Sequence, residues 1–121
     1  MSASPIIGIV DDDADVRRSL DSLMRSAGLK PRCFCSAEDV LAAGGDAGLA
    51  CLVTDLHMPG MTGLDLQAEL KRRGSRTPLI MMTAFPTELA RDQAMRAGAA
   101  AFLTKPVDPD GLLEAIGHAT R

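Results

Sequence analysis

Ile6-Ile7-Gly8-Ile9-Val10-Asp11-Asp12-Asp13 is the stretch whose reading decides the fold: an unbroken apolar run leads straight into three acids. A short run with no polar alternation suits a strand covered on both faces, as in a parallel sheet between two helical layers. Four more such runs follow, at residues 32–35, 50–54, 79–83 and 101–104, and segments of helical period separate them. This alternation reads as repeated strand–helix units of the α/β class. Four runs, residues 6–10, 50–54, 79–83 and 101–104, are almost uniformly apolar and read as central strands. The run at residues 32–35, with Lys30, Pro31 and Arg32 around its start, reads as an edge strand, where a missing N–H is tolerated.

Spacing and punctuation mark the helices. Val16, Leu20, Leu23, Met24 and Ala27 fall on one face of a helix that Gly28 stops. Gly44, Gly74 and Gly98 fall just after later helical segments, where a left-handed cap costs glycine little. Ser36 with Asp39, and Thr62 with Asp65, resemble capping boxes; Asp13 reads as an N-cap, and Asp108-Pro109 as an N-cap and first helical position.

The chain's 121 residues are one domain's length, sufficient for a core without disulfides or structural metal. A net charge of −3 offers no basic footprint for nucleic acid or an anionic membrane, and the absence of Trp and Tyr argues against a base-stacking platform. No apolar stretch approaches a bilayer span, and residues 1–5 lack the features of a secretory signal, so the expected location is cytoplasmic. The three cysteines complete no zinc site and read as small, buried, reduced packing residues. His118 and the run Lys71-Arg72-Arg73 read as solvated, and Met81 and Met82 as strand core.

Asp11, Asp12, Asp55, Thr83 and Lys105 each lie at or just past the end of an apolar run. Ligands of open parallel sheets bind outside the carboxyl ends of the strands, where strand order reverses. If strand order is 2-1-3-4-5, the first and third strands are neighbours and bring Asp11 and Asp12 beside Asp55. Two unit charges 4 Å apart repel by about 4 kcal/mol at an effective dielectric of 20. A hard divalent cation on oxygen ligands relieves that repulsion, and Mg²⁺ commonly shares such acids with a phosphate oxygen. The acids therefore point to phosphoryl chemistry.

Four segments together carry a family resemblance: Val10-Asp11-Asp12-Asp13, the stretch from Thr54-Asp55-Leu56-His57 to Met58-Pro59-Gly60-Met61-Thr62-Gly63, Met82-Thr83-Ala84, and Leu103-Thr104-Lys105-Pro106. In their order and spacing the chain resembles the receiver domain of two-component response regulators, from about residue 6 to residue 119. The resemblance implies a flavodoxin-like (βα)5 fold, a doubly wound five-stranded parallel sheet, with residues 1–121 forming a single receiver domain and no output domain. It implies that Asp55 is the phosphoacceptor and that Asp11, Asp12, Asp55 and the backbone carbonyl of His57 hold Mg²⁺, or Mn²⁺ in its place. Thr83, Lys105, Ala84 and Leu56 become the phosphoryl-binding set, Thr83 and Phe102 the switch pair, and Lys105-Pro106 a cis peptide. His57 and Phe85, at positions where the family varies, border the path of the hydrolytic water, and Pro86 fixes the approach to the fourth helix.

The implied function is a signalling phosphoacceptor, catalysing only its own phosphorylation and dephosphorylation. Its partners would be a sensor histidine kinase or phosphotransfer protein, an output domain or effector, and a homodimer formed on phosphorylation, with no direct nucleic-acid or membrane binding. A flavodoxin-type mononucleotide binder fits poorly, because three aspartates after the first strand would repel its phosphate. A phosphotransferase using Asp-x-Asp would need an acid where His57 stands. The remaining alternative is a pseudo-receiver, an interaction module acting without phosphorylation; such modules usually lack one of the acids, the acceptor or the lysine, and all are present here.

Overall fold

A computed structural model of the protein describes residues 4–45 and 48–121. Residues 1–3, part of the N-terminal stretch read above for a secretory signal, lie outside it. The elements alternate strictly: β1 (Ile6–Val10), α1 (Ala14–Ser26), β2 (Lys30–Phe34), α2 (Ala37–Ala42), β3 (Cys51–Asp55), α3 (Gly63–Arg72), β4 (Leu79–Thr83), α4 (Glu88–Arg96), β5 (Ala101–Thr104) and α5 (Pro109–Ala119). All four strand pairings are parallel, in the order β2-β1-β3-β4-β5. This is the doubly wound arrangement expected from the sequence.

Alternate residues of each strand feed opposite cores. Leu52 and Met81 join Leu66, Leu70 and Ala94 on the side of α2, α3 and α4, whereas Val53, Ile80 and Met82 join Leu20, Met24, Leu112 and Ile116 on the side of α1 and α5. Because each central strand is buried on both faces, β3 and β4 need no polar alternation. Gly8 belongs to the same logic: a Cβ there would come within 2.6 Å of the Leu52 side chain.

The helix punctuation acts as read. Asp13 accepts from the Asp15 amide at 2.8 Å, Asp108 caps α5 with Pro109 in its first turn, and Thr62 and Asp65 make a reciprocal capping box. Ser36 makes only its half of a box, accepting from the Asp39 amide. Gly28, Gly44, Gly74 and Gly98 all take positive φ.

Several expectations are corrected. β2 begins and ends earlier than residues 32–35, which leaves Cys35 in a bend, and β3 runs one residue later than residues 50–54, ending on Asp55 itself. β5 is not a fully covered strand: it closes the far edge of the sheet, half-buried, with only β4 beside it. Ala27 is exposed, because the helix has ended and it serves as the C-cap. Cys51 is buried, but Cys33 and Cys35 are exposed. Edge strand β2 turns Cys33 toward the polar flank of α1, where its thiol lies 3.9 Å from Asp21 Oδ2.

Candidate functional site

The register of the three central strands builds the site. Val10 stands opposite Thr54, and Asp55 opposite Met82, so the residues at the ends of β1, β3 and β4 emerge side by side. Asp11 is wholly buried and Asp55 is 5% exposed, while Asp12 is exposed on the rim. Carboxylate oxygens of the three acids all lie within 4.8 Å of one another. Gly63, at the start of α3, makes room behind them: a Cβ there would lie 2.5 Å from the Asp55 carbonyl oxygen.

Lys105 reaches this cluster from the end of β5. Its Nζ is 2.9 Å from Asp11 Oδ2 and 3.6 Å from Asp55 Oδ2, and its amide donates to the Thr83 carbonyl at 2.8 Å. The Lys105-Pro106 peptide is cis, as expected. Three carboxylates against one ammonium leave an excess of two negative charges, the charge of one divalent cation. An all-oxygen donor set of this kind suits a hard ion such as Mg²⁺ or Mn²⁺.

The electrostatics follow from burial. Desolvation, then the neighbouring charge of Asp11, raises the Asp55 pKa above the ordinary carboxylate value, and Lys105 opposes the rise. For Lys105, burial disfavours the ammonium, but hydrogen bonding and attraction from Asp11 and then Asp55 outweigh it, and the pKa is raised.

Thr83 closes the site at the end of β4. It is fully buried, and its Oγ1 accepts from the Phe85 amide at 3.0 Å, which leaves the hydroxyl hydrogen available to donate. Ala84 follows, exposed. Phe102 lies on β5 opposite Met81, partly buried against the core that contains Ala94 of α4. His57 and Phe85 meet edge to face with ring centroids 5.9 Å apart, although Phe85 is 71% exposed. Pro86 immediately precedes Thr87, the N-cap of α4.

Leu56 departs from its expected part. Its amide donates to the Met82 carbonyl at 2.8 Å, extending the β3–β4 pairing by one step, so this donor is engaged within the sheet. Sequence reasoning also passed over Arg17, whose Nη1 donates to the Asp11 carbonyl at 2.7 Å, and Gln67, whose Nε2 ties α3 to the Ala94 carbonyl of α4 at 3.0 Å. The available hint for Arg17 was a cation near the N-terminal end of a helix, where the dipole disfavours one.

A flavodoxin-like sheet with a carboxylate cluster and a lysine at its carboxyl end defines a class, and comparison with known proteins gives the family. The chain belongs to the response regulator receiver domain family, whose model matches residues 7–117. It is 40% identical over 119 residues to nodulation protein W of Bradyrhizobium diazoefficiens, covering 98% of this chain and 52% of the relative. It is also 40% identical over 116 residues to response regulator protein TmoT of Ectopseudomonas mendocina, covering 96% and 53%. The chain thus spans about half the length of the curated relatives it matches. Among solved structures, the response regulator StyR superposes with a TM-score of 0.87 at 38% identity, covering 98% of this chain and 60% of that one. FixJ-N superposes with a TM-score of 0.87 at 33% identity, covering 98% and 95%. Among the described residues, no helix is long and apolar enough to cross a membrane.

Proposed function

We propose that Asp55 accepts a phosphoryl group from the phosphohistidine of a sensor histidine kinase or phosphotransfer protein, and that the modified site switches a protein-binding surface acting on an output domain or effector. The observation that carries this reading is the meeting of Asp11, Asp12, Asp55 and Lys105 at adjoining strand ends. An Asp55 oxygen forms the new bond to phosphorus as the donor's P–N bond breaks and its imidazole leaves. Such transfer asks the protein mainly for positioning and charge neutralisation.

Lys105 provides one positive charge within reach of both buried acids, and the Thr83 hydroxyl and the Ala84 amide supply donors for phosphoryl oxygens. Asp11, Asp12, Asp55 and the His57 carbonyl would hold Mg²⁺ or Mn²⁺, which when bound supplies the remaining neutralisation of the transferring group. The phosphoryl group brings about −1.5 to −2 charge and three acceptor oxygens. Thr83 answers that charge, and its movement vacates space that Phe102 fills by turning inward, altering the surface of α4, β5 and α5. Moving such a surface from 1:99 to 99:1 takes about 5.5 kcal/mol of differential stabilisation.

The direct test is intact mass after incubation with acetyl phosphate and Mg²⁺. The parent is expected to gain one phosphoryl group and Asp55→Asn none; an unmodified parent would leave only the pseudo-receiver. The His57–Phe85 pair is the candidate regulator of hydrolysis. A smaller side chain admits water, so Phe85→Ala is expected to lose its phosphoryl group faster than the parent, and an unchanged lifetime would remove that role.

A further inference from the structure

Asp11 is held at every polar atom. Its amide donates to the Phe34 carbonyl at 3.2 Å, Oδ1 accepts from the Asp13 amide at 2.9 Å, Oδ2 faces Lys105 at 2.9 Å, and its carbonyl accepts from Arg17 Nη1 at 2.7 Å. The first three partners come from the paired strand, the same loop and the site itself. Arg17 comes from the first turn of α1.

Its neighbours on that helix behave differently. Arg18 pairs with Asp15 and Arg25 with Asp21, the ion pairs that helical spacing offers. Arg17 has Asp13 four residues back and Asp21 four ahead, yet among the described ion pairs it takes neither. Its guanidinium turns back six residues onto a neutral carbonyl, and the side chain is half-buried where Arg18 and Arg25 are exposed. Forgoing two carboxylates for a carbonyl places the contact's value in geometry.

The geometry in question is a peptide plane. The Asp11 carbonyl and the Asp12 amide belong to one rigid unit, so pinning that oxygen sets the direction in which the chain leaves toward Asp12. Asp12 needs such help: it is exposed, and among the described hydrogen bonds its carboxylate has no partner to hold it in the cluster.

We infer that Arg17 is a positioning residue that locks the Asp11–Asp12 peptide and thereby keeps both carboxylates aimed at one divalent cation. The inference rests on the metal-assisted phosphoacceptor reading, and the experiment separates the two. Mg²⁺ is titrated, without any phosphoryl donor, into parent, Arg17→Met, Arg17→Gln, Arg17→Lys and Arg18→Met while backbone amide resonances are followed by NMR. Metal-free urea unfolding of each confirms that it is folded.

Outer partners of metal ligands typically cost ten- to a hundredfold in affinity when removed, so Arg17→Met is expected to bind Mg²⁺ about tenfold more weakly. Arg17→Gln, whose amide falls short of the Asp11 carbonyl, should show the same loss and decides the question if the Met variant does not fold. Arg17→Lys, which keeps a donor on a stem of similar reach, should recover most of the affinity, and Arg18→Met should match the parent. Parent-like affinity in Arg17→Met or Arg17→Gln, or a lysine variant no better than either, overturns the role of Arg17. A parent that binds no Mg²⁺ overturns the phosphoacceptor reading beneath it.

Discussion

Lys105 and Glu69 each sit at the centre of a three-charge cluster, with opposite surroundings. Lys105 lies between the buried carboxylates of Asp11 and Asp55, at 2.9 and 3.6 Å. Glu69, half-buried on α3, lies between two guanidiniums that reach into solvent, with Arg72 at 2.6 Å and Arg73 at 3.2 Å. Contact distances are similar, yet the consequences for the acids diverge. Asp55 is pushed above the ordinary carboxylate value by burial, whereas the hydrogen bond from Arg72, reinforced by Arg73, pulls Glu69 down to about 2. Solvent makes the difference. Beside solvated guanidiniums pairing has little desolvation to overcome; in the sheet, the Lys105 ammonium does not offset the desolvation of Asp55. The surface cluster is complete as it stands, and the buried one keeps an excess of negative charge that a divalent cation can neutralise.

The largest effect that tests this contrast should come from Lys105→Met. Removing the ammonium strands Asp11 and Asp55, and breaking a buried pair costs about 3 kcal/mol or more; urea unfolding in metal-free buffer should fall by that order. Arg72→Met, the matching change on α3, should leave the same curve almost unmoved.

Metal should act next. Mg²⁺ at a hundred times its Kd stabilises the folded state by about 2.7 kcal/mol if it binds only there, and thermal unfolding should show this in the parent and lose it with a chelator. Asp12→Ala should blunt the response, while changes to Glu69 should not.

A smaller effect of opposite sign is expected from Asp55→Asn without metal. Removing one of the crowded charges should raise stability by about 1 kcal/mol, or roughly 4 °C in Tm for a domain of this size. The sign of its pH dependence follows from the raised pKa. Ionising Asp55 costs the native state, so the variant's advantage is full above the folded-state pKa and vanishes below the unfolded value of about 3.9. Tm measured across that range checks it; an advantage that persists in acid would refute the electrostatic explanation.

Glu69→Gln should give the smallest change. A depressed pKa contributes stability above the unfolded value of 4.5 and loses it as pH falls toward about 2. The parent should therefore exceed the variant slightly at neutral pH and converge with it across that window, as acid titration of unfolding would show.

Much of the site was legible because position along the chain already implied position at a strand end. Asp11 follows Val10, Asp55 closes β3 and Lys105 follows Thr104, and a parallel sheet delivers all such residues to one edge. Cys51 is buried as its place in an apolar run implied, but Cys33 and Cys35 were not legible in this way. Cys33 lies opposite Ile9 on the same side of the sheet, but Ile9 belongs to an inner strand and Cys33 to an outer one. β5 misleads for the same reason: its apolar composition resembles that of β4, but β5 has a neighbour on one flank only. The Leu56 amide and the Arg17 guanidinium escape sequence reading because each partner is chosen by contacts across elements or turns.

Local chemistry along the chain was enough to determine the elements, their caps, the parallel sheet and the identity of the acids and lysine at its carboxyl end. These depend on periodicity and on which residue follows a strand, both of which are one-dimensional. Only the folded molecule decided which acids are desolvated, which donors remain available and which strands are covered, because solvent exclusion and hydrogen-bond pairing arise from neighbours remote in sequence.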